Sequence, residues 1–120
     1  MGLTPRLYPA GMDFESVNPA DIPDGAHLID VREQQEWDAG HAPNAQHLPA
    51  SELMARLDEL PDDEQNLFIV CRSGGRSRQV VQWLTQNGFD AIDVTGGMDA
   101  WFIEDLPMVS EVPGAQPRVL

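Results

Sequence analysis

Residues 67–77 read Leu67-Phe68-Ile69-Val70-Cys71-Arg72-Ser73-Gly74-Gly75-Arg76-Ser77. The four apolar residues at the start of this segment predict a strand of a parallel sheet that is buried on both faces. The two adjacent glycines predict a tight loop, and the apolar face that follows predicts a helix from Ser77 to Asn87. Ligand sites in open α/β sheets form beyond the carboxyl ends of the strands, so Cys71 lies where a site is expected.

Strand-like and helix-like segments alternate on both sides of residues 67–77. Apolar runs predict short buried strands at 26–31 and 91–94. Apolar spacing and capping signals predict helical segments near Pro19 and at 33–37, 53–60 and 98–104. This order predicts an α/β fold with a mostly parallel central sheet, flanked by helices on both faces.

The 120 residues are the length of one domain. We expect this domain at residues 14–108, between an irregular N-terminal arm at 1–13 and a proline-containing C-terminal tail at 109–120. No run of 18 apolar residues occurs, and the first residues lack the basic-then-apolar pattern of a signal peptide. A cytoplasmic protein without a membrane partner is therefore expected.

The charge of the chain excludes further classes of partner. The net charge is −13, and all seven basic residues are arginines. Such a chain repels nucleic acid and anionic membranes, so we expect neither as a partner.

The three histidines stand apart in the sequence and no Cys/His group has the spacing of a zinc site, so we expect no metal and no other cofactor.

Cys71 is the only cysteine, and it is either a buried, unreactive side chain or a reactive thiol. The glycines allow backbone N–H groups to point inward, and the start of the next helix adds unpaired donors and a positive dipole end. Together these groups favour the thiolate over the thiol. Cations at a helix start are unfavourable by about 0.3–1 kcal/mol, so Arg72, Arg76 and Arg78 indicate an anion there. We interpret Cys71 as a nucleophile.

Four blocks occur along the chain in a fixed order: Leu28-Ile29-Asp30-Val31-Arg32 with Glu36-Trp37, Gly40-His41-Ala42-Pro43-Asn44-Ala45, Cys71-Arg72-Ser73-Gly74-Gly75-Arg76-Ser77 and Gly96-Gly97-Met98-Asp99-Ala100-Trp101. In these blocks the chain resembles the single-domain rhodanese (thiosulfate sulfurtransferase-like) family over about residues 14–108. Ala42, Asn44 and Gly75 replace the usual isoleucine, glycine and asparagine, and none of these changes removes a reactive group. The resemblance implies the rhodanese-like α/β fold.

The resemblance also implies a reaction and the residues that carry it. Cys71 is the expected catalytic residue, which takes sulfane sulfur from a small anionic donor such as thiosulfate and passes it from a persulfide to a thiol or cyanide. The acceptor of the sulfur can also be a protein, and the sequence leaves this alternative open. The residues expected to bind the donor and the persulfide are those of the loop: Arg72, Ser73, Gly74, Gly75, Arg76 and Ser77.

Other conspicuous side chains are interpreted as structural. Asp30 and Arg32 are expected to form a buried or half-buried polar network near the loop. His41 is expected to be a packed, hydrogen-bonded histidine rather than a general base. Trp37 and Trp101 are expected to be core aromatic residues.

Two alternatives to sulfurtransferase turnover remain. Cysteine phosphatases and arsenate reductases place an arginine six positions after the cysteine, whereas Arg76 is five positions after Cys71 and Ser77 is the sixth. The shorter loop suits a sulfur atom better than a tetrahedral phosphate. The second alternative is a sulfur carrier or a regulatory binding module for a protein partner, although inactive domains of this type typically lack the cysteine.

Overall fold

A parallel five-stranded sheet lies at the centre of residues 14–120, the part of the chain that the structure describes. The structure is a computed structural model, and the arm predicted at residues 1–13 lies outside the described residues. The strands are β1 (Glu15–Val17), β2 (His27–Asp30), β3 (Gln46–His47), β4 (Leu67–Val70) and β5 (Ala91–Val94). Their order in the sheet is β1-β5-β4-β2-β3, and each neighbouring pair is parallel.

Helices cover both faces of this sheet. They are α1 (Gln34–Ala39), α2 (Gly75–Gln86) and α3 (Gly97–Ile103), with short 3-10 segments at Pro19–Asp21 and Leu53–Glu59. One core packs α2 and the Leu53–Glu59 segment against the sheet, and a second core packs α3 against the opposite face. The α/β architecture with helices on both faces is therefore confirmed. No helix within residues 14–120 is long and apolar enough to cross a membrane.

The central position of β4 explains its uninterrupted apolar sequence. Leu67 and Ile69 belong to the core on the α2 face, whereas Phe68 and Val70 belong to the core on the α3 face. All four side chains are buried, because β4 lies between β5 and β2 and is covered on both sides. The strand therefore delivers the next residue, Cys71, to the carboxyl edge of the sheet.

The helix predicted at 53–60 is wrong in type. Leu53–Glu59 is a 3-10 segment with a kink at Arg56, where φ is −125° and ψ is 27°. Leu60 is already extended, as the residue before a proline prefers to be, so an α-helix has little room to develop. The predicted apolar face is nevertheless present, since Leu53 and Leu60 are buried and Leu57 packs against the same core.

The segment predicted as a C-terminal tail, 109–120, packs along the end of α1. Val109 and His41 exchange two backbone hydrogen bonds of 2.9 Å. The amide of Glu111 donates to the carbonyl of Asp38, and the amide of Arg118 donates to the carbonyl of Ala39. The non-helical conformation that its prolines predict is present, and backbone pairing holds it against the domain.

Candidate active site

Cys71 is the first residue after β4, and its side chain is fully buried. The amide of Gly74 donates a hydrogen bond of 3.0 Å to Cys71 Sγ, and Ser77 Oγ lies 3.3 Å from the same sulfur. We call residues 71–74 the cysteine loop. This loop curls around Sγ of Cys71, its first residue. A backbone donor aimed at sulfur stabilises a negative charge on it.

Gly74 makes this curl possible. Its φ is +123°, a conformation that residues with a Cβ rarely adopt. A Cβ at this position would also lie 2.8 Å from Nη1 of Arg78. Gly74 is the N-cap of α2, which begins at Gly75, two residues earlier than predicted. The positive end of the α2 dipole therefore lies closer to the sulfur than the sequence indicated.

The start of α3 fixes the cysteine loop from its other side. The amide of Met98 donates to the carbonyl of Cys71 at 2.8 Å, and the amide of Asp99 donates to the carbonyl of Arg72 at 2.9 Å. These are amides of the first helical turn, which have no partner within the helix. The N-termini of two helices, α2 and α3, thus meet at Cys71. The sequence predicted a role for the N-terminus of α2 but not for that of α3.

The two arginines of the predicted site differ in their surroundings. Arg72 is exposed, and its Nε lies 3.6 Å from a carboxylate oxygen of Asp99. Arg76 instead donates two hydrogen bonds, of 2.6 and 2.9 Å, to the carboxylate of Glu36 on α1. Glu36 was quoted in a sequence block without a role, and the structure makes it the partner of Arg76.

The other predicted loop residues divide between surface and interior. Ser73 and Gly75 are exposed, whereas Gly74 and Ser77 are buried. Ser77 Oγ contacts Cys71 Sγ, the carbonyl of Gly74 at 3.2 Å and Oδ1 of Asp93 at 2.5 Å. Asp93 on β5 received no role from the sequence, since an acidic residue within a short strand gives no local signal of what it faces.

Asp30 and Arg32 form a fully buried ion pair at the carboxyl end of β2. Arg32 donates from Nε to Asp30 Oδ1 at 2.9 Å and from Nη2 to Asp30 Oδ2 at 2.8 Å. Nη2 also donates to the carbonyl of Gly40 at 2.8 Å, which ties the end of α1 to the sheet. These contacts place the pair as support for the segment that carries Glu36.

His41 is held by packing and hydrogen bonds. Its ring stacks on Trp37 with 3.5 Å between the ring centroids. Its Nε2 lies 2.7 Å from a carboxylate oxygen of Glu111, and its Nδ1 lies 2.9 Å from the carbonyl oxygen of Ala42. Trp37 was expected in the core, but it is half-buried and stacks on the rings of His41 and His47. The short helix α1 leaves part of the Trp37 side chain exposed. Trp101 is buried in the core, as expected.

The ion pair between Glu36 and Arg76 makes stability depend on pH. The Arg76 guanidinium lowers the pKa of Glu36, against the opposing effect of burial. A carboxyl whose folded-state pKa is lowered stabilises the fold above its ordinary pKa, about 4.3, and this contribution disappears as pH falls through the lowered value. Glu36→Gln should therefore lower the free energy of unfolding at neutral pH and have less effect as the medium becomes acid.

The expected loss at neutral pH is about 1 kcal/mol, since the Arg76 side chain is 38% exposed and water screens the pair. Urea unfolding of wild type and Glu36→Gln at neutral pH and down to about pH 3, below the ordinary pKa of a glutamate, measures it. Asp24→Asn, which changes an exposed aspartate in a turn, is the control. The difference in free energy of unfolding between this variant and wild type should not change with pH. An equal loss at every pH would contradict the assignment.

Comparisons with known proteins identify the family of the chain. The rhodanese-like domain family matches residues 18–104. The chain is 41% identical over 81 residues to the putative sulfurtransferase YtwF of Bacillus subtilis, covering 68% of this chain and 78% of YtwF. It is 34% identical over 84 residues to the thiosulfate sulfurtransferase GlpE of Vibrio cholerae, covering 69% and 78%.

Among solved structures, a rhodanese-related protein from Thermoplasma volcanium matches with a TM-score of 0.74 and 33% identity. The match covers 80% of this chain and 98% of that one. No group of three or more His, Cys, Asp or Glu residues that could hold a metal ion lies within residues 14–120. From the match over residues 18–104 and the relative at 41% identity, the chain belongs to the rhodanese-like domain family.

Proposed function

We propose that this protein is a sulfurtransferase that moves sulfane sulfur from thiosulfate or a similar anionic donor to a thiol or cyanide through a persulfide on Cys71. The observation that carries the proposal is the hydrogen bond from the Gly74 amide to Cys71 Sγ, 3.0 Å long, inside a loop placed between two helix N-termini. Membership of the rhodanese-like domain family and the similarity to GlpE, a thiosulfate sulfurtransferase, support the reaction class.

The reaction follows from a thiolate in this environment. The Cys71 thiolate attacks the outer sulfur of thiosulfate, a new S–S bond forms, and the S–S bond of thiosulfate breaks as sulfite leaves with the electron pair. Cyanide or a thiolate then attacks the outer sulfur of the persulfide. The bond between that sulfur and Sγ breaks, and Cys71 is left again as a thiolate.

The surroundings of Cys71 support an anionic donor. Arg72 is an exposed side chain of the cysteine loop, and we assign its guanidinium to the sulfonate oxygens of thiosulfate. Arg76 has both terminal nitrogens on Glu36, so its part in donor binding is to add its positive field at the rim. Ser77, six positions after Cys71, is buried and points to the sulfur, which supports sulfur rather than phosphate chemistry.

The proposal is tested by following thiocyanate formation from thiosulfate and cyanide, beside hydrolysis of an aryl phosphate by the same protein. We expect multiple turnovers in the first assay and none in the second. Phosphate hydrolysis that depends on Cys71 would favour a phosphatase instead. A single equivalent of sulfur transferred without further turnover would favour a sulfur carrier.

A further inference from the structure

Asp93 is a buried carboxyl group that the sulfur-transfer steps above do not use. It is the third of the four residues of β5, and it is 2% exposed. Ser77 Oγ is 2.5 Å from its Oδ1 and 3.3 Å from Cys71 Sγ. One hydroxyl group therefore bridges the reactive sulfur and a carboxyl group inside the protein.

The bridge through Ser77 can hold its protons in two arrangements. The hydroxyl of Ser77 carries one proton and can donate it in one direction at a time. In one state the Cys71 thiol donates to Ser77 and Ser77 donates to the Asp93 carboxylate. In the other state the protonated Asp93 donates to Ser77 and Ser77 donates to the Cys71 thiolate. The two states contain the same number of protons, and each keeps both hydrogen bonds.

Burial of Asp93 favours its protonated form. Burial raises the pKa of Asp93, while the hydrogen bond from Ser77 and the charge of Arg78 on α2 act in the opposite direction. Its register neighbours, Ile69 on β4 and Ser16 on β1, carry no charge. The charged group that acts on Asp93 is the Arg78 guanidinium, and Ser77 Oγ connects Asp93 to the Cys71 sulfur.

We propose that Asp93 is a positioning residue that takes up the proton of the Cys71 thiol through Ser77. The thiol proton passes from Sγ to Ser77 Oγ, and the hydroxyl proton of Ser77 passes to Asp93 Oδ1. Cys71 is then a thiolate that accepts hydrogen bonds from both Ser77 and the Gly74 amide. The proton stays on Asp93 while sulfur is taken up and released, so the cycle needs no proton from water at the sulfur.

The inference rests on the proposed function in that Cys71 is the nucleophile, but its test does not use sulfur transfer. The ultraviolet absorbance of the thiolate is followed against pH, together with the rate of alkylation by iodoacetamide. Coupled groups lose their protons in two macroscopic steps. Wild type should show a thiolate signal and an alkylation rate that rise in two steps, the lower one due to the state with protonated Asp93.

Asp93→Asn should convert this curve to a single step. Its midpoint should lie about one pH unit or more below the upper step of wild type, because the neighbouring negative charge is gone. The variant is expected to fold, since a carboxyl with a raised pKa contributes stability only while protonated, and asparagine stays neutral at every pH. Asp90→Asn, an exposed position directly before β5, is the matched control and should titrate as wild type does.

Ser77→Ala tests the path between the two groups. It should also give a single step, and it should slow alkylation at neutral pH about tenfold, because the thiolate loses a donor. In the Ser77→Ala background, Asp93→Asn should shift the midpoint much less than it does in wild type. An equal shift in both backgrounds would show that the two groups interact through space and would overturn the relay.

A single-step titration of wild type that Asp93→Asn leaves unchanged would also overturn the inference. Either result is separable from failure of the proposed function. A protein that titrates as expected but does not gain sulfur from thiosulfate retains the relay and loses the sulfurtransferase proposal. A protein that gains sulfur but titrates in one step keeps the function and loses the relay.

Discussion

Replacing Cys71 with serine should lower turnover with thiosulfate and cyanide by at least about a thousandfold. A hydroxyl is a much weaker nucleophile than a thiolate, and it cannot form a persulfide. The site itself should be retained, because serine can still accept from the Gly74 amide that now donates to sulfur. The measurement is steady-state thiocyanate formation by wild type and Cys71→Ser.

The fold of Cys71→Ser is checked by its unfolding curve, which should stay close to that of wild type. Asp24→Asn, an exposed turn residue, serves as the activity control and should turn over like wild type. If Cys71→Ser keeps a tenth or more of the turnover, Cys71 is not the nucleophile.

Gly97→Ala is the substitution with the largest expected effect on the fold. Gly97 has a φ of +57°, and a Cβ there would collide with the carbonyl oxygen of Cys71 and lie 2.6 Å from that of Arg72. Both obstacles are backbone atoms, so no change of rotamer relieves them. We expect a loss of about 3–4 kcal/mol in the free energy of unfolding, from the φ preference and the steric overlap together.

The same change should displace the cysteine loop and lower turnover about a hundredfold, because a shift of about 1 Å misplaces the nucleophile. Gly25→Ala and Gly88→Ala are the matched controls. Both glycines have a positive φ, +78° and +89°, but a Cβ at either would meet nothing within 4 Å. Each control should lose only about 1–2 kcal/mol and keep its turnover. Equal losses in all three variants would show that the contact with the cysteine loop contributes nothing.

The sequence predicted most accurately those features that neighbouring residues determine. The four apolar residues before Cys71 predicted a strand covered on both faces, and the structure places that strand in the centre of the sheet. The glycines at 74 and 75 indicated a loop that turns back on the cysteine, and the Gly74 amide does reach the sulfur. These signals are local, so a single sequence carries them.

Contacts between distant segments were not predictable in the same way. Glu36 and Arg76 are 40 positions apart, and only the folded sheet brings α1 to the start of α2. Asp93 meets Ser77 because β5 lies beside β4, a strand order that no local pattern encodes. The pairing of Val109 with His41 is of the same kind.

The α-helix predicted at 53–60 was wrong for another reason. The leucine spacing predicted which side faces the core, but an α-helix and a short 3-10 segment bury such a spacing almost equally well. Gly97 illustrates the remaining gap. The sequence block marked it as a glycine, and only the structure shows that the carbonyl groups of the cysteine loop occupy the space of a side chain.

The most direct test of the persulfide on Cys71 is the intact mass of the protein after incubation with thiosulfate. Wild type should gain the mass of one sulfur atom, cyanide should remove that sulfur, and Cys71→Ala should gain nothing. Wild type that keeps its original mass, or Cys71→Ala that gains sulfur, would contradict a persulfide on Cys71.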